Sequence, residues 1–359
     1  PCAMGLATPT SIMVGTGRAA ELGVLFRNGA ALQRLSEVDV IAFDKTGTVT
    51  EGVPTLTHIE IAEGLDRDDV LRLVAGVERR SEHPVAAAVV AGIQLGTSDL
   101  VDVSDFRVVT GQGVAGLADG QQVHVGSTAC IEALGVDIAP FREETARLAE
   151  RGHTTFLAAI DGRLAALLSV SDPIRKESAR VLTALRDRGL ELVIISGDAQ
   201  ATADAIGAEL GIGTVIGGVR PEGKRAALSD LRAKGRKVAF VGDGINDAPA
   251  LAEADIGIAI GSGTDVAIEA ADVVLMAGNL NGVLTAVEVS QRTMRNIKQN
   301  LGWAFGYNAA LIPVAAGVLY PAFGVLLSPV FAAGAMALSS VSVLTNALRL
   351  RRVQPVKAE

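Results

Sequence analysis

Short, mainly apolar runs alternate with amphipathic stretches through the second half of the chain. Glu191–Ile195, Val215–Ile216, Lys237–Val241, Ile256–Ile260 and Asp272–Leu275 have the pattern of strands buried on both faces. Between them, Arg175–Arg188, Ala201–Leu210 and Gly223–Ala233 carry helical periodicity. Alternating strand and helix at these lengths predicts an α/β fold with a doubly wound parallel sheet. An earlier run, Val38–Phe43, reads as another buried strand of that sheet and leads into Asp44. The segment Gly52–Leu167 differs in texture. Charged helical stretches (Asp66–Gly76, Phe141–Arg151) flank short strands near Phe106–Val109 and Gln122–Val125, with glycine turns between. It reads as an α+β domain inserted into the sheet, which is therefore assembled from two separated pieces of chain.

The ends of the chain are apolar in another way. Ala3–Val14 is too short to span a bilayer alone and fits the second half of a broken transmembrane helix, followed by a mixed amphipathic segment, Gly15–Ser36. Asn300–Tyr320 and Ala322–Leu348 contain no Asp, Glu, Lys or Arg, and each is long enough for a ~30 Å hydrocarbon core. Arg292, Arg295 and Lys298 precede the first run, and Arg349, Arg351 and Arg352 follow the second. The positive-inside tendency then predicts a C-terminal transmembrane hairpin with both outer ends in the cytoplasm. A buried hairpin of a soluble core would show similar runs, but two adjacent ones of this length are rare.

Composition agrees. Hydrophobic residues make up 49% of the 359 residues, and the mean hydropathy is +0.37, which is too apolar for an ordinary soluble enzyme. A net charge of −8 lacks the basic footprint of a nucleic-acid binder. Two cysteines, Cys2 and Cys130, make no disulfide framework. The start at Pro1 with no signal-peptide pattern leads to the expectation that an N-terminal part is missing.

The chemistry gathers at the carboxyl ends of the predicted strands, where doubly wound sheets bind ligands. Asp44-Lys45-Thr46-Gly47-Thr48 closes the first strand, and a carboxylate there can attack a γ-phosphoryl group to form an aspartyl phosphate. Gly242-Asp243-Gly244-Ile245-Asn246-Asp247 closes another, offering Asp243 and Asp247 as hard oxygen ligands for Mg²⁺. Ser196-Gly197-Asp198 closes a third and can hold phosphate oxygens, while Lys224 at a helix start supplies a positive point charge. Phosphoryl transfer needs mainly such positioning and charge neutralisation. Each element alone could be a turn or a cap; four at the strand ends of one sheet are hard to explain that way.

DKTGT at 44–48, SGD at 196–198, PEGK at 221–224 and GDGINDAPAL at 242–251 closely resemble the phosphorylation domain of P-type ATPases, within the haloacid dehalogenase superfamily. The resemblance implies that Asp44 is phosphorylated, that Asp44, Thr46 (through its carbonyl) and Asp243 bind Mg²⁺, and that Thr48, Ser196 and Lys224 contact phosphate, with Asp247 part of the catalytic set. Many members carry Thr where Ser196 stands; the hydroxyl is kept. The insertion is where that family binds ATP. Glu78 and Ser81-Glu82-His83-Pro84 resemble the nucleotide signature of the heavy-metal branch, and Gly111-Gln112-Gly113-Val114 and Gly126-Ser127 resemble its glycine turns. His83 could stack on or hydrogen-bond adenine.

Pro1-Cys2 resembles the end of the Cys-Pro-Cys motif of heavy-metal pumps, whose first Cys would lie before residue 1. Tyr307-Asn308 and the pair Met336 and Ser340 sit in the two apolar runs, and Met336–Leu350 closely resembles the copper(I) subgroup. Thiolate and thioether suit Cu(I). Zinc-type relatives usually carry a Lys and an Asp in these helices, and neither run here holds a charge. The expectation is therefore ATP-driven Cu(I) export. Its components would be the end of a broken transmembrane helix (1–24), a split phosphorylation domain (25–51 and 168–290), a nucleotide-binding domain (52–167) and two transmembrane helices with a short tail (291–359). The resemblance implies ATP, Cu(I) or a similar soft metal, a lipid bilayer and a soluble copper chaperone as partners. The Thr-Gly-Glu motif of the family's actuator domain does not occur. The alternatives are a Zn(II)/Cd(II) exporter, a soluble phosphatase of the same superfamily, which usually has a second Asp at the position of Thr46, and a non-enzymatic metal sensor.

Overall fold

A computed structural model describes residues 2–93, 101–109, 113–198, 200–243, 247–261, 269–324 and 326–355. Its strands are β1 (Val24–Phe26), β2 (Val40–Asp44), β3 (Thr55–Ile61), β4 (Val103–Val109), β5 (Gly113–Ala118), β6 (Gln121–Gly126), β7 (Thr154–Ile160), β8 (Arg163–Ser171), β9 (Glu191–Ile195), β10 (Thr214–Ile216), β11 (Val238–Gly242), β12 (Ile256–Ile260) and β13 (Val273–Leu275). The chain divides into two compact units, one of residues 1–44, 179–192 and 220–359, the other of residues 45–178 and 193–219.

In the first unit the strands run in the order β1-β13-β12-β11-β2. β2, β11, β12 and β13 are parallel, with Val40–Phe43 opposite Val238–Val241. Every residue of β2, β11 and β12 is buried, which is why these strands read as unbroken apolar runs. β9 starts beside β2, where the Glu191 N–H donates to the Asp39 carbonyl (3.0 Å). The edge strand β1 pairs antiparallel with β13 and was not foreseen. Three residues are too few to show a period, and the segment Gly15–Ser36 reads as one amphipathic stretch. It resolves into a helix end, β1 and the helix Gly29–Leu35, capped by Asn28 accepting from the Ala31 N–H (2.8 Å).

The helices Cys2–Glu21, Asn281–Ala315 and Pro329–Leu348 pack against one another. The first is continuous with Pro9 inside it, so the apolar stretch Ala3–Val14 runs on for nearly two further turns. The expectation of two full membrane spans is met differently. By length and composition one helix among the described residues is long and apolar enough to cross a membrane, Pro329–Arg352. The other apolar run forms the end of the 35-residue helix Asn281–Ala315. Its part from Asn300 to Ala315 extends about 24 Å, short of the hydrocarbon thickness. Pro313 lies in its last turn, and Gly317 beyond it takes a φ of 87°, which a helix cannot continue through. Trp303, Phe305, Phe323, Val330, Phe331 and Leu338 all stand more than half exposed, a surface that water does not favour.

The second unit holds a six-stranded antiparallel sheet in the order β3-β8-β7-β6-β5-β4. Alternation sends Ala158, Ala166 and Leu168 to one face, against Leu73, Val74 and Val77 of the helix Arg67–Glu78. Leu157, Ala159 and Leu167 go to the other face, with Ile131, Phe141 and Leu148. The same unit contains the parallel pair β9–β10 and the helix Gln200–Leu210.

Candidate functional site

Asp44 is the last residue of β2 and lies at the carboxyl end of a sheet with no exposed neighbour in its own strand. Lys224, in the first turns of the helix Pro221–Ala233, reaches it: Nζ donates to Asp44 Oδ1 at 2.7 Å and to Asp247 Oδ1 at 2.6 Å. All three are buried, at 6%, 7% and 1% exposure. Asp247 occupies the N-cap position of the helix Ala248–Glu253 but makes no capping bond; its carboxylate turns to Lys224 instead. Gly242 permits this, since a Cβ there would stand 2.5 Å from Asp247 Oδ2. Burial, then the charges of Asp247 and Asp243, push the Asp44 carboxyl up to about 7 against the pull of Lys224. Burial would lower the Lys224 ammonium, but the two carboxylates outweigh it and hold its pKa above the ordinary value.

Asp247 Oδ2 is buried and has no hydrogen-bond partner. A buried carboxylate oxygen so placed is a ready ligand for a hard cation, because leaving it bare costs more than an ordinary lost hydrogen bond. With Asp44 and the half-buried Asp243, the donor set fits Mg²⁺. Gly244, Ile245 and Asn246 lie outside the described residues.

In the second unit the loop after Asp44 is held in one shape. Thr46 is extended (ψ 126°) and Gly47 has φ 74°, in the left-handed region that glycine adopts without strain. Arg175 Nη2 donates to the Gly47 carbonyl (2.8 Å) and Nε to that of Thr50 (2.9 Å). Asp172 accepts from Thr50 Oγ1 (2.5 Å) and the Gly52 N–H (2.8 Å). Thr48 Oγ1 is wholly buried without a partner. Ser196 directly follows β9; its hydroxyl accepts from the Asp198 N–H (3.1 Å), and Asp198 pairs with the buried Lys45. A cavity of about 350 Å³ is lined by Lys45, Thr46, Gly52, Asp172, Asp198 and Thr202. Lys45, Asp198, Asp172 and Arg175 were not singled out as site residues. A signal existed for Lys45 and Asp198, inside two quoted motifs; Asp172 and Arg175 flank a proline at the end of β8 and carry no motif.

A second cavity, of about 300 Å³, is lined among others by Glu78, Ser81, His83, Gly113, Gly126 and Phe156. The sheet forms one wall, where Gly113 faces Gly126 across β5 and β6. Gly113 has φ 155°, and a Cβ on it would stand 2.2 Å from the Val125 carbonyl oxygen, so glycine is required. Glu78 ends the helix Arg67–Glu78, and burial pushes its carboxyl up to about 7. His83 Nδ1 accepts from the Val85 N–H (3.3 Å), which puts the ring proton on Nε2. The structure thus brings Glu78, His83, Gly113 and Gly126 to one cavity; Gly111 lies outside the described residues.

The residues expected to bind transported metal stay on separate helices. Tyr307 stacks obliquely near Trp303 (centroids 6.4 Å apart), and Asn308 Nδ2 donates to the Ala304 carbonyl (2.8 Å). Ser340 Oγ donates to the Met336 carbonyl (3.2 Å), which confirms one shared helix face, and Met336 is half exposed. Cys2 begins its helix.

Residues 38–255 match the haloacid dehalogenase-like hydrolase family. Over 99% of its length the chain is 58% identical to copper-transporting ATPase 1 of Rhizobium meliloti (strain 1021), covering 43% of that protein. It is 48% identical, again over 99% of the chain and 43% of the relative, to a silver exporting P-type ATPase of Salmonella typhimurium. The chain therefore spans less than half the length of these curated relatives. Among solved structures it resembles a zinc-transporting PIB-type ATPase in its E2.Pi state, with a TM-score of 0.86 and 34% identity over 98% of this chain and 56% of that one. With the family match covering more than half of the chain and these relatives aligned along nearly all of it, the chain belongs to the haloacid dehalogenase-like hydrolases, in their P-type ATPase branch.

Proposed function

We propose that this chain carries the catalytic unit, and part of the metal path, of an ATP-driven Cu(I) exporter. The observation that carries the reading is the buried Asp44–Lys224–Asp247 cluster at a strand end, a nucleophile with its charge partner already in place. A carboxylate oxygen of Asp44 attacks the γ-phosphorus of ATP, the bond from that phosphorus to the β–γ bridging oxygen breaks, ADP leaves, and an acyl phosphate forms. Asp44 must be ionised to attack, and Lys224 favours that form. Asp44, Asp243 and the Thr46 carbonyl would hold Mg²⁺, with Asp247 Oδ2 a further candidate donor; when bound, the ion neutralises phosphoryl oxygens. Thr48 and Ser196 supply hydroxyls for the same oxygens. Adenine would occupy the Glu78–His83–Gly113–Gly126 cavity of the 52–167 domain.

The exposed apolar helices support the reading of a multi-pass membrane protein whose catalytic units would lie on the cytoplasmic side. Cys2, Tyr307, Asn308, Met336 and Ser340 are the proposed soft-metal ligands, and a soluble chaperone is the proposed source of Cu(I). The likeness to a zinc transporter favours Zn(II) as a second reading. The test uses the full-length protein under reducing conditions. ATP turnover should rise with Cu(I) or Ag(I) and not with Zn²⁺, and Asp44→Asn should abolish acid-stable labelling from ATP. Stimulation by Zn²⁺ alone overturns the copper reading; persistent labelling of the Asn variant overturns Asp44.

A further inference from the structure

Three helices of the first unit meet in one polar cluster, buried except at Asn346, which is half-buried. Ser11 lies on Cys2–Glu21, Asn296 and Asn300 one turn apart on Asn281–Ala315, and Asn346 near the end of Pro329–Leu348. Asn300 Nδ2 donates to Ser11 Oγ (3.0 Å) and Asn296 Oδ1 (3.2 Å). The Ser11 hydroxyl lies 2.9 Å from the same Asn296 oxygen. Asn296 Nδ2 donates to the Asn346 carbonyl (2.8 Å), and Asn346 Nδ2 returns to Asn300 Oδ1 (2.9 Å). Ser11 and Asn300 are wholly buried, and Asn296 nearly so. Both N–H groups and the oxygen of Asn300 are therefore used, each on a different partner residue.

Small residues let the helices come this close. Ala7, Ser11, Gly15 and Ala19, spaced by four, form the buried face of the first helix. A Cβ on Gly15 would stand 2.4 Å from Thr293 Oγ1. A buried amide left unpaired is costly, so one alignment of the three helices satisfies the set, and a slip of any one breaks several bonds together.

The contacts also give direction. Ser11 meets Asn296 and Asn300 while Gly15 meets Thr293, so the first two helices are antiparallel. Arg18 Nε donates to the Val353 carbonyl (2.7 Å), just past the third helix, while Ser11 and Asn346 share Asn300, so the first and third are parallel. At about 1.5 Å per residue, Cys2 lies about 14 Å from the cluster, Asn308 about 12 Å and Met336 about 15 Å. All three displacements run the same way along the bundle. A one-residue slip would move a ligand by about 1.5 Å and turn it by about 100°.

We propose that Ser11, Asn296, Asn300 and Asn346 form a positioning clamp that fixes the register of the three ligand-bearing helices and thereby sets metal affinity without touching the metal. The proposal rests on the soft-metal reading above. It is tested in the full-length protein by Cu(I) competition with a chromophoric chelator, with ATP affinity read in parallel. Asn300→Leu should weaken Cu(I) binding by about tenfold or more, the size seen when groups that orient metal ligands are removed. ATP affinity should stay within about twofold of wild type. Ser11→Ala, which adds no bulk and stands in if the Leu variant fails to fold, should weaken Cu(I) in the same sense, and Ser11→Thr, which keeps the hydroxyl, should restore it. Wild-type Cu(I) affinity in a folded Asn300→Leu or Ser11→Ala protein overturns the clamp. Cu(I) affinity of the wild type that does not change on Cys2→Ala overturns instead the metal reading on which it rests.

Discussion

Glu78, which lines the proposed nucleotide cavity, offers a test of that cavity's burial that needs no ligand. Its carboxyl is buried at the end of a helix and is pushed from 4.5 up to about 7 by burial alone. That rise corresponds to about 3 kcal/mol of differential stability between the protonated and ionised forms. The sign comes from proton counting. Below about pH 4.5 the side chain is protonated whether folded or unfolded and contributes no pH dependence. Between 4.5 and 7 the folded protein keeps the proton that the unfolded chain has released, so stability falls as pH rises. Above 7 both forms are ionised and the full penalty remains. Glu78→Gln keeps the shape and removes the charge. The variant should match wild type near pH 4.5 and exceed it by up to about 3 kcal/mol at pH 8. Hydrogen exchange of β5 and β6 amides lining the cavity, monitored from pH 5 to 8, reads this local stability. A wild-type-minus-variant difference that stays flat across that range would refute a buried, ionisable Glu78.

Removing the ammonium by Lys224→Ala leaves Asp44 and Asp247 without their common cation. Phosphoenzyme formation from ATP should fall by about a hundredfold, the size of losing one preorganised charge-stabilising donor, with ATP affinity unchanged; a wild-type labelling rate would remove Lys224 from the centre. Gly113→Ala should destabilise the six-stranded sheet, because the new Cβ would meet main-chain atoms at 2.2 and 2.5 Å rather than a movable side chain. A thermal transition within about 1 °C of wild type would show that β5 can retreat.

The candidate centre could be proposed from sequence because its residues fall in contiguous motifs at the ends of mainly apolar strands. A strand buried on both faces leaves an unmistakable run, and the chain must turn where that run stops, so Asp44, Ser196 and Asp243 could be expected at strand ends. Lys224 was harder on physical grounds, since a helix start specifies no partner; only the fold shows its ammonium shared between Asp44 and Asp247. Asp172 and Arg175 were out of reach. Each acts on backbone groups about 120 residues or more away in sequence, and a main-chain carbonyl leaves no mark in the pattern of side chains. The edge strand β1 and the end of the first apolar run at Ala315 were missed for the opposite reason. Both are decided within a few residues, by a short strand pairing and by a proline with a left-handed glycine soon after it, inside segments whose average character says something else.

The choice between Cu(I) and Zn(II) turns on charge rather than on overall likeness. The resemblance to a zinc transporter extends over 98% of the chain, but a shared scaffold fixes where ligands stand, not what they are. Asn300–Ala315 and Pro329–Leu348 contain no carboxylate and no ammonium. A divalent ion entering such surroundings would carry two charges with no opposite charge on these helices, which is expensive in a low-dielectric region. A monovalent soft ion halves that charge, accepts few ligands and prefers sulfur, which the proposed ligands Cys2 and Met336 would provide. The asparagine-rich clamp obeys the same logic. It holds three helices together with neutral groups, so it adds rigidity about 12–15 Å from the proposed ligands without placing a charge that would favour one metal over the other. Discrimination is thereby left to the ligands themselves, and replacing one of them should change metal preference where replacing a clamp residue changes affinity alone.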